Sequence, residues 1–253
     1  PPPVADQQIF VRLRGADAAR RVAKLEKIGI NNLFLPFSEE IHHGERVGLI
    51  GPNGTGKTHL LKVLSGENEP TEGKITFGPR TSVGVFTQVN NRPDFLGREC
   101  VDIVLDRISE EEKAMKTLAR YGLRNNARQK FETLSGGQKA RLEILRLEIE
   151  GHNVLLLDEP TVGVDPISRR ELWKIVYELV ERDGIGVLLS TAYLDEAERC
   201  DHVVVMHEGE KLAEGTPREF KERLGQRVAI VDPPADIKPR RIHTRLMGRA
   251  HIV

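Results

Sequence analysis

Cysteines, aromatic residues and long apolar runs are all scarce in this sequence of 253 residues. The two cysteines, Cys100 and Cys200, are too few and too widely separated to predict a disulfide or zinc framework, so we expect a reducing compartment. No apolar run approaches the roughly 18–20 residues that cross a bilayer. Residues 1–6 lack the basic and hydrophobic regions of a secretory signal, and the missing initiator Met indicates either processing or a piece of a longer product.

Net charge is also absent, because 38 Lys and Arg residues balance 38 Asp and Glu residues. This balance excludes a uniformly basic nucleic-acid binder and an acidic disordered chain as the main theme. Residues 225–253 form a basic tail with no acidic residue after Asp236. Such a tail attracts RNA or lipid headgroups, but it lacks interleaved aromatic residues, so we predict no specific nucleic-acid partner.

Short apolar runs alternate with stretches of helical spacing along most of the chain. The strand candidates are residues 46–50, 153–157, 187–190 and 202–206, and the helix candidates are residues 58–64, 138–150, 168–183 and 195–200. Strands that alternate with helices predict an α/β fold with a mostly parallel sheet.

Three other stretches have a different texture. Residues 16–27 have the spacing of a helix or of an irregular basic segment. Residues 74–77 and 82–86 predict two strands around the turn at residues 78–80. The polar, periodic stretch at residues 93–133 predicts a small helical lobe.

A glycine-rich motif follows the strand candidate at residues 46–50. It matches GxxxxGK[ST] with Gly51, Pro52, Asn53, Gly54, Thr55, Gly56, Lys57 and Thr58. In such a loop the backbone N–H groups surround phosphate oxygens, and the next helix presents its positive N-terminal end to the same anion. We expect Lys57 to reach the β- and γ-phosphates, the Thr58 hydroxyl to bind Mg²⁺, and His59 to belong to the same nucleotide site. The alternative, an ordinary glycine-rich turn, is disfavoured by the buried strand before it and the helix after it.

A second apolar strand candidate ends in two carboxylates, Asp158 and Glu159. Asp158 lies where nucleotide hydrolases place a residue that holds Mg²⁺. Glu159 is then placed to orient or deprotonate the attacking water. Such a pair alone is also typical of a helix N-terminus, but together with the phosphate loop it predicts a hydrolytic site.

The sequence also contains Leu134, Ser135, Gly136, Gly137 and Gln138 at the start of a helix candidate. On this signature motif and the phosphate loop, the chain resembles the ATP-binding cassette family over roughly residues 28–224. The resemblance implies a P-loop NTPase core with a mostly parallel sheet, a small antiparallel β subdomain and a helical signature lobe at about residues 89–140. Residues 1–27 are then an N-terminal extension with the first strand, and residues 225–253 are the basic tail.

In that family the signature motif contacts the γ-phosphate of ATP held by the opposite cassette. The resemblance therefore implies a second cassette, closed head-to-tail on this one around two ATP molecules with Mg²⁺. Gln88 resembles the family's glutamine loop, which implies that it contacts Mg²⁺ and the attacking water and acts with Lys57 and Glu159 in catalysis. Residues 162–165 resemble the loop that links the two sites.

Two positions depart from the family pattern. Ala192 occupies the slot of the switch histidine and cannot donate a hydrogen bond to the γ-phosphate, so either hydrolysis is slow or another group compensates. No aromatic residue lies at residues 27–31, where the family's adenine-stacking side chain is expected. Phe34 and Phe37 are substitutes that are equally consistent with core positions, and Ile28 is an aliphatic alternative.

The two halves resemble different branches of the family. Residues 24–160 are similar to the F-type soluble cassettes, and the chain from Thr161 onward is similar to drug-exporter cassettes. We favour an ATP-binding and ATP-hydrolysing subunit of an exporter, at the cytoplasmic face of the membrane, that drives a permease subunit on a separate chain. The alternative is a soluble F-type ATPase that acts on the ribosome in translation or antibiotic resistance. A third hypothesis is a regulatory cassette that uses nucleotide binding as a switch.

Overall fold

The computed structural model describes residues 21–86, 92–225, 242–245 and 249–252. The strands are β1 (Arg21–Ile30), β2 (Phe34–His42), β3 (Arg46–Ile50), β4 (Glu72–Phe77), β5 (Val83–Phe86), β6 (Val154–Asp158), β7 (Gly186–Thr191), β8 (His202–His207), β9 (Glu210–Gly215), β10 (Ile242–Arg245) and β11 (Arg249–Ile252). The α-helices are α1 (Lys57–Leu64), α2 (Cys100–Leu105), α3 (Glu111–Arg120), α4 (Gly136–Ile149), α5 (Pro166–Asp183), α6 (Leu194–Ala197) and α7 (Pro217–Gly225).

A six-stranded sheet in the order β5-β6-β7-β3-β8-β9 forms the centre of the fold. All neighbouring pairs in it are parallel except β8 and β9, so the predicted mostly parallel sheet is confirmed. Its inner strands are buried on both faces, which is why they appear in the sequence as continuous apolar runs.

Each face of this sheet has its own hydrophobic core. On one face, α1 and the antiparallel sheet cover Val47, Leu49, Leu156, Leu188 and Val204. On the other face, α4 and α5 cover Leu155, Leu157, Val187, Leu189, Val203 and Val205. Successive strand residues point to opposite faces, so one apolar run supplies both cores.

A smaller antiparallel sheet has the order β2-β1-β4. The expectation of a helix at residues 16–27 is wrong for residues 21–27, which belong to β1. Register shifts between Leu25 and Ile28 and between Ile28 and Ile30 break the alternation that identifies a strand in the sequence. The two strands predicted around residues 78–80 both form, but they enter different sheets, because β4 pairs with β1 and β5 pairs with β6.

The helical lobe contains α2, α3 and three short 3₁₀ turns, at Pro93–Phe95, Arg124–Asn126 and Phe131–Thr133. Within the predicted tail, β10 and β11 pair antiparallel. The division of the chain at residues 28 and 224 stays a prediction, and β1 runs through the first of these boundaries. None of the described helices is both long and apolar enough to cross a membrane.

Candidate functional site

Three loops leave the central sheet at the same edge, because the strands before them are parallel and adjacent. Ile50 at the end of β3 pairs with Thr191 at the end of β7, and Ser190 pairs with Asp158 at the end of β6. The glycine-rich loop, the acidic pair and the loop that contains Ala192 therefore begin side by side. This carboxyl edge is where open parallel sheets bind ligands.

The glycine-rich loop needs its glycines at defined positions. Gly54 and Gly56 have φ angles of 85° and 93°, in the left-handed region that favours glycine. A Cβ on Gly51 would lie 2.2 Å from the backbone oxygen of Met206, which explains the glycine at that position. The Thr55 hydroxyl closes the loop by donating to the Pro52 carbonyl at 3.0 Å. The loop is thus a preformed turn that leads directly into α1.

We expect Gly56→Ala to destabilise the protein more than Gly54→Ala. Both substitutions place a Cβ in the left-handed region, at a cost of about 1–2 kcal/mol each. Only the Cβ added at Gly56 would also clash, because it would lie 2.8 Å from Cδ1 of Phe34, whereas nothing lies within 4 Å at Gly54. Displacing the buried Phe34 ring adds about 1–3 kcal/mol. Urea unfolding of both variants measures this difference, and equal losses of unfolding free energy would contradict it.

Lys57 begins α1 and is buried, with 4% of its surface exposed. Its Nζ donates to the carbonyls of Gly51 at 2.8 Å and Pro52 at 3.0 Å, across the mouth of the loop. Burial lowers the pKa of the Lys57 ammonium, whereas the nearby carboxylates of Glu159 and Asp158 act in the opposite direction. An anion bound beside it would favour the charged form more strongly than these carbonyls do.

Thr58 and His59 follow Lys57 on α1, and both are exposed toward a cleft of about 400 Å³. The cleft is lined by Leu33, Asn53, Gly54, Gly56, Lys57, Thr58, His59, Asp158 and Glu159. The structure therefore brings the predicted phosphate loop and the predicted acidic pair together in one cleft. Gly56 is the N-cap residue of α1 and has no side chain that could accept from the first N–H groups of the helix. A ligand in the cleft can therefore accept from them.

The donors in this cleft fit a magnesium ion. Oδ1 of Asp158 is buried and has no hydrogen-bond partner among the described residues, although it lies beside the cleft. A buried carboxylate oxygen without a partner is costly unless water or a cation completes it. Carboxylate and hydroxyl oxygens are the hard ligands that Mg²⁺ prefers, so Asp158 and Thr58 are the residues that would hold it.

Glu159 has a left-handed backbone, with φ of 47°, at the end of β6. Its N–H donates to the Ser190 carbonyl at 3.0 Å, and its carbonyl accepts from the N–H of Val162 at 3.1 Å. A left-handed conformation costs free energy in a residue other than glycine and persists only when its surroundings hold it. These two bonds fix the direction in which the Glu159 side chain leaves the strand.

The cleft also contains a residue that the sequence analysis did not include. Leu33, in the turn between β1 and β2, lines the cleft beside the glycine-rich loop. Ile28, Phe34 and Phe37 all lie in the hydrophobic core, so none of the three offers an open face for stacking. The stacking position was expected at residues 27–31, which end two residues before Leu33, and leucine lacks the aromatic ring by which such a position is identified.

Gln88 lies outside the described residues, so its predicted roles stay predictions. The signature residues lie elsewhere, because Ser135, Gly136, Gly137 and Gln138 form the start of α4 and none of them lines the cleft. Ser135 caps α4 by accepting from the N–H of Gln138 at 3.3 Å, and Oε1 of Gln138 accepts from the N–H of Ser135 at 2.8 Å. This reciprocal cap is a capping box, which satisfies the N–H groups of Ser135 and Gln138 at the start of α4.

The start of α4 packs tightly on the start of α5. A Cβ on Gly137 would lie 2.2 Å from Cβ of Ser168, so only glycine permits this approach. Asp165 caps α5 by accepting from the N–H groups of Ile167 and Ser168, both at 3.0 Å, and these bonds lower the pKa of its carboxyl. The signature motif and the loop at residues 162–165 therefore form one continuous surface.

A cluster of two carboxylates and one histidine lies outside the cleft, on β2, β8 and β9. Glu39, His202 and Glu214 place their ligand atoms within 4.8 Å of one another. The Lys211 ammonium lies among them, 2.6 Å from Glu214 and 3.4 Å from Glu39. Lysine thus supplies the cation here, and the cluster connects β2 to β9 as an ion-pair network.

A comparison with protein families matches residues 35–162, just over half of the chain, to the family model described as ABC transporter. The chain belongs to the ABC transporter family. ATP-binding domains of this family are ATPases, so the predicted family, the α/β P-loop fold and the ATPase activity class are confirmed.

Two curated relatives match most of the chain. It is 38% identical over 215 residues to the probable multidrug ABC transporter ATP-binding protein YbhF of Escherichia coli (strain K12), a match that covers 79% of this chain and 37% of that protein. It is 37% identical over 214 residues to the Nod factor export ATP-binding protein I of Burkholderia orbicola (strain AU 1054), covering 78% of this chain and 69% of that protein. The chain therefore spans little more than a third of the length of YbhF.

Among solved structures, CbiO1 from Clostridium perfringens, described as part of the ABC transporter complex cbiONQ, has the same fold. The TM-score is 0.70 at 26% identity, and the match covers 82% of this chain and 97% of that chain. The likeness extends to nearly the whole of a transporter cassette.

Proposed function

We propose that this chain is the ATP-hydrolysing subunit of an ABC exporter, active as a head-to-tail dimer of cassettes. The observation that carries the proposal is the convergence of Lys57, Thr58, Asp158 and Glu159 in one cleft. One relative is named for the export of Nod factors and another as a probable multidrug ABC transporter, and the first of these names supports the direction of transport. The transported substrate would be chosen by a membrane permease, and the cassette would lie at the cytoplasmic face of the membrane.

The roles of the cleft residues follow from their positions. The loop at residues 51–56 and Lys57 would bind the β- and γ-phosphates of ATP, with Thr58 and His59 at the start of α1 beside them. Mg²⁺ held by Thr58 and Asp158 would neutralise phosphate charge during transfer. Glu159 would accept a proton from the attacking water, and Gln88 would help to position that water.

The separation of the signature motif from the cleft supports the dimer. Residues 135–138 lie at the start of α4 and do not line the cleft of their own chain. A second copy placed head-to-tail would bring its α4 N-terminus, with its positive dipole end, to the γ-phosphate in this cleft. Each site would then consist of a phosphate loop from one chain and a signature motif from the other.

A mixing experiment tests this assembly. Lys57→Ala removes the phosphate contact from one chain, and Ser135→Arg blocks the signature motif of another. Each variant alone is expected to lack ATP turnover, whereas a mixture restores part of it. The mixed dimer regains one intact site, composed of the phosphate loop of the second variant and the signature motif of the first. Failure of the mixture to exceed either variant alone, when wild type is active, would contradict the head-to-tail site.

A further inference from the structure

Glu196 is a fully buried carboxylate, with 0% of its surface exposed, in the short helix α6. No ion pair to it occurs among the described residues, which makes it unlike the other buried acid, Glu143, whose partners are Arg92 and Arg146. Burying a carboxylate is costly unless hydrogen bonds replace its water. Its partners should therefore reveal why this position is acidic.

Two threonine hydroxyls satisfy Glu196 at the carboxyl edge of the sheet, one from the loop after β6 and one from the last residue of β7. Oε2 accepts from the Thr191 hydroxyl at 2.6 Å, and Oε1 accepts from the Thr161 hydroxyl. Both threonines are themselves 1% exposed. Thr191 is further fixed because its Oγ1 accepts from the N–H of Tyr193 at 3.0 Å. The carboxylate thus bridges the loop after β6 to the end of β7.

The two segments that Glu196 bridges also make the backbone hydrogen bonds of Glu159. Thr161 lies two residues beyond Glu159, inside the turn closed by the Val162 N–H and the Glu159 carbonyl. Thr191 follows Ser190, whose carbonyl accepts from the Glu159 N–H. The hydrogen bonds of Glu196 to Thr161 and Thr191 therefore join the two segments that bond to the backbone of the left-handed Glu159. A residue held in a costly conformation relies on such surrounding bonds.

We propose that Glu196 is a positioning residue that holds Glu159 in its left-handed conformation by joining Thr161 to Thr191. The inference rests on the proposed role of Glu159 in ATP hydrolysis. Glu196 itself is buried behind the loops and does not line the cleft. Its loss should therefore lower the rate of the chemical step while leaving ATP binding by the phosphate loop unchanged.

The experiment uses threonine variants, because replacing Glu196 itself risks unfolding the chain. Thr161→Val removes one bridging hydroxyl and keeps the shape of the side chain, whereas Thr161→Ser keeps the hydroxyl. We expect kcat to fall roughly tenfold in Thr161→Val at unchanged KM and ATP affinity, and to be largely recovered in Thr161→Ser. Thr191→Val combined with Thr161→Val should cost less than the sum of the two single effects.

A second measurement does not depend on turnover. Amide hydrogen exchange of the segment 159–162 without ATP should be roughly tenfold faster in Thr161→Val than in wild type. Exchange in the centre of α5 serves as the control and should not change, which excludes a general loss of stability. A merely structural Glu196 would instead raise exchange in both segments together, and that result would overturn the proposal.

The outcomes separate the two hypotheses. Faster exchange at 159–162 with an unchanged kcat would overturn the positioning of Glu159 for catalysis. Unchanged exchange in Thr161→Val would show that the bridge does not hold the turn. If wild type shows no turnover above a Glu159→Gln blank, the proposed function fails instead, and the exchange rates alone then decide whether Glu196 holds Glu159.

Discussion

Glu159→Gln is expected to lower ATP turnover by about 10²–10⁴-fold, the usual contribution of a positioned general base. Glutamine keeps the size of the side chain and the backbone bonds to Ser190 and Val162, so the left-handed turn should persist. ATP should still bind, because the loop at residues 51–56 and Lys57 are unchanged. Because each ATP would be held between the two cassettes of the proposed dimer, slow hydrolysis should let ATP-bound dimers accumulate.

Phosphate release and size-exclusion chromatography with saturating ATP measure the two effects. Glu208→Gln is a matched control, because Glu208 also has a left-handed backbone, with φ of 48°, and its side chain is 80% exposed and does not line the cleft. It should turn over ATP at the wild-type rate. A Glu159→Gln variant that stays monomeric at saturating ATP would rule out the head-to-tail mechanism for this chain.

The central sheet could be predicted from the sequence because its strands are buried on both faces. Residues 154–157 and 187–189 form uninterrupted apolar runs, and each is followed by a polar residue at the carboxyl edge. β1 could not be predicted in the same way. Its register shifts, three basic residues and one acidic residue hide the period of two, and only pairing with β2 and β4 decides its conformation.

In the cleft, too, the contiguous motifs could be predicted from the sequence, whereas residues that the fold brings together could not. The phosphate loop and the acidic pair are contiguous motifs, so their residue types and order identify them before any fold is known. Leu33 and Glu196 carry no such motif. Leu33 reaches the cleft through the turn between β1 and β2, and Glu196 reaches Thr161 only because β6 and β7 are neighbours in the sheet. Roles of this kind depend on which strands are adjacent.

Ala192, at the position where the family pattern has its switch histidine, also depends on residues that are distant in the sequence. Ala192 is exposed at the end of β7, directly after the buried Thr191 that Glu196 holds. The alanine side chain makes no hydrogen bond. The hydrogen bonds that hold the start of this loop are instead those of the Thr191 hydroxyl, to Glu196 and from the N–H of Tyr193. The bridge from Glu196 to Thr161 gives this chain a connection between the two loops that does not require a histidine side chain.

Lys57→Ala is expected to weaken ATP binding roughly a hundredfold, because an ammonium-to-phosphate contact in a partly buried site contributes about 3 kcal/mol. The protein should not unfold, since Lys57 lines the cleft and its truncation lets water enter from there and replace the Nζ donor at the carbonyls of Gly51 and Pro52. Equilibrium binding of ATP measures the change, and urea unfolding verifies the fold.

Lys62→Ala is the control, because Lys62 lies on the same helix α1 and is exposed. Its ATP affinity should match that of wild type. An unchanged affinity in Lys57→Ala would remove Lys57 from the nucleotide site and, with it, the assignment of the loop at residues 51–56 to the phosphates.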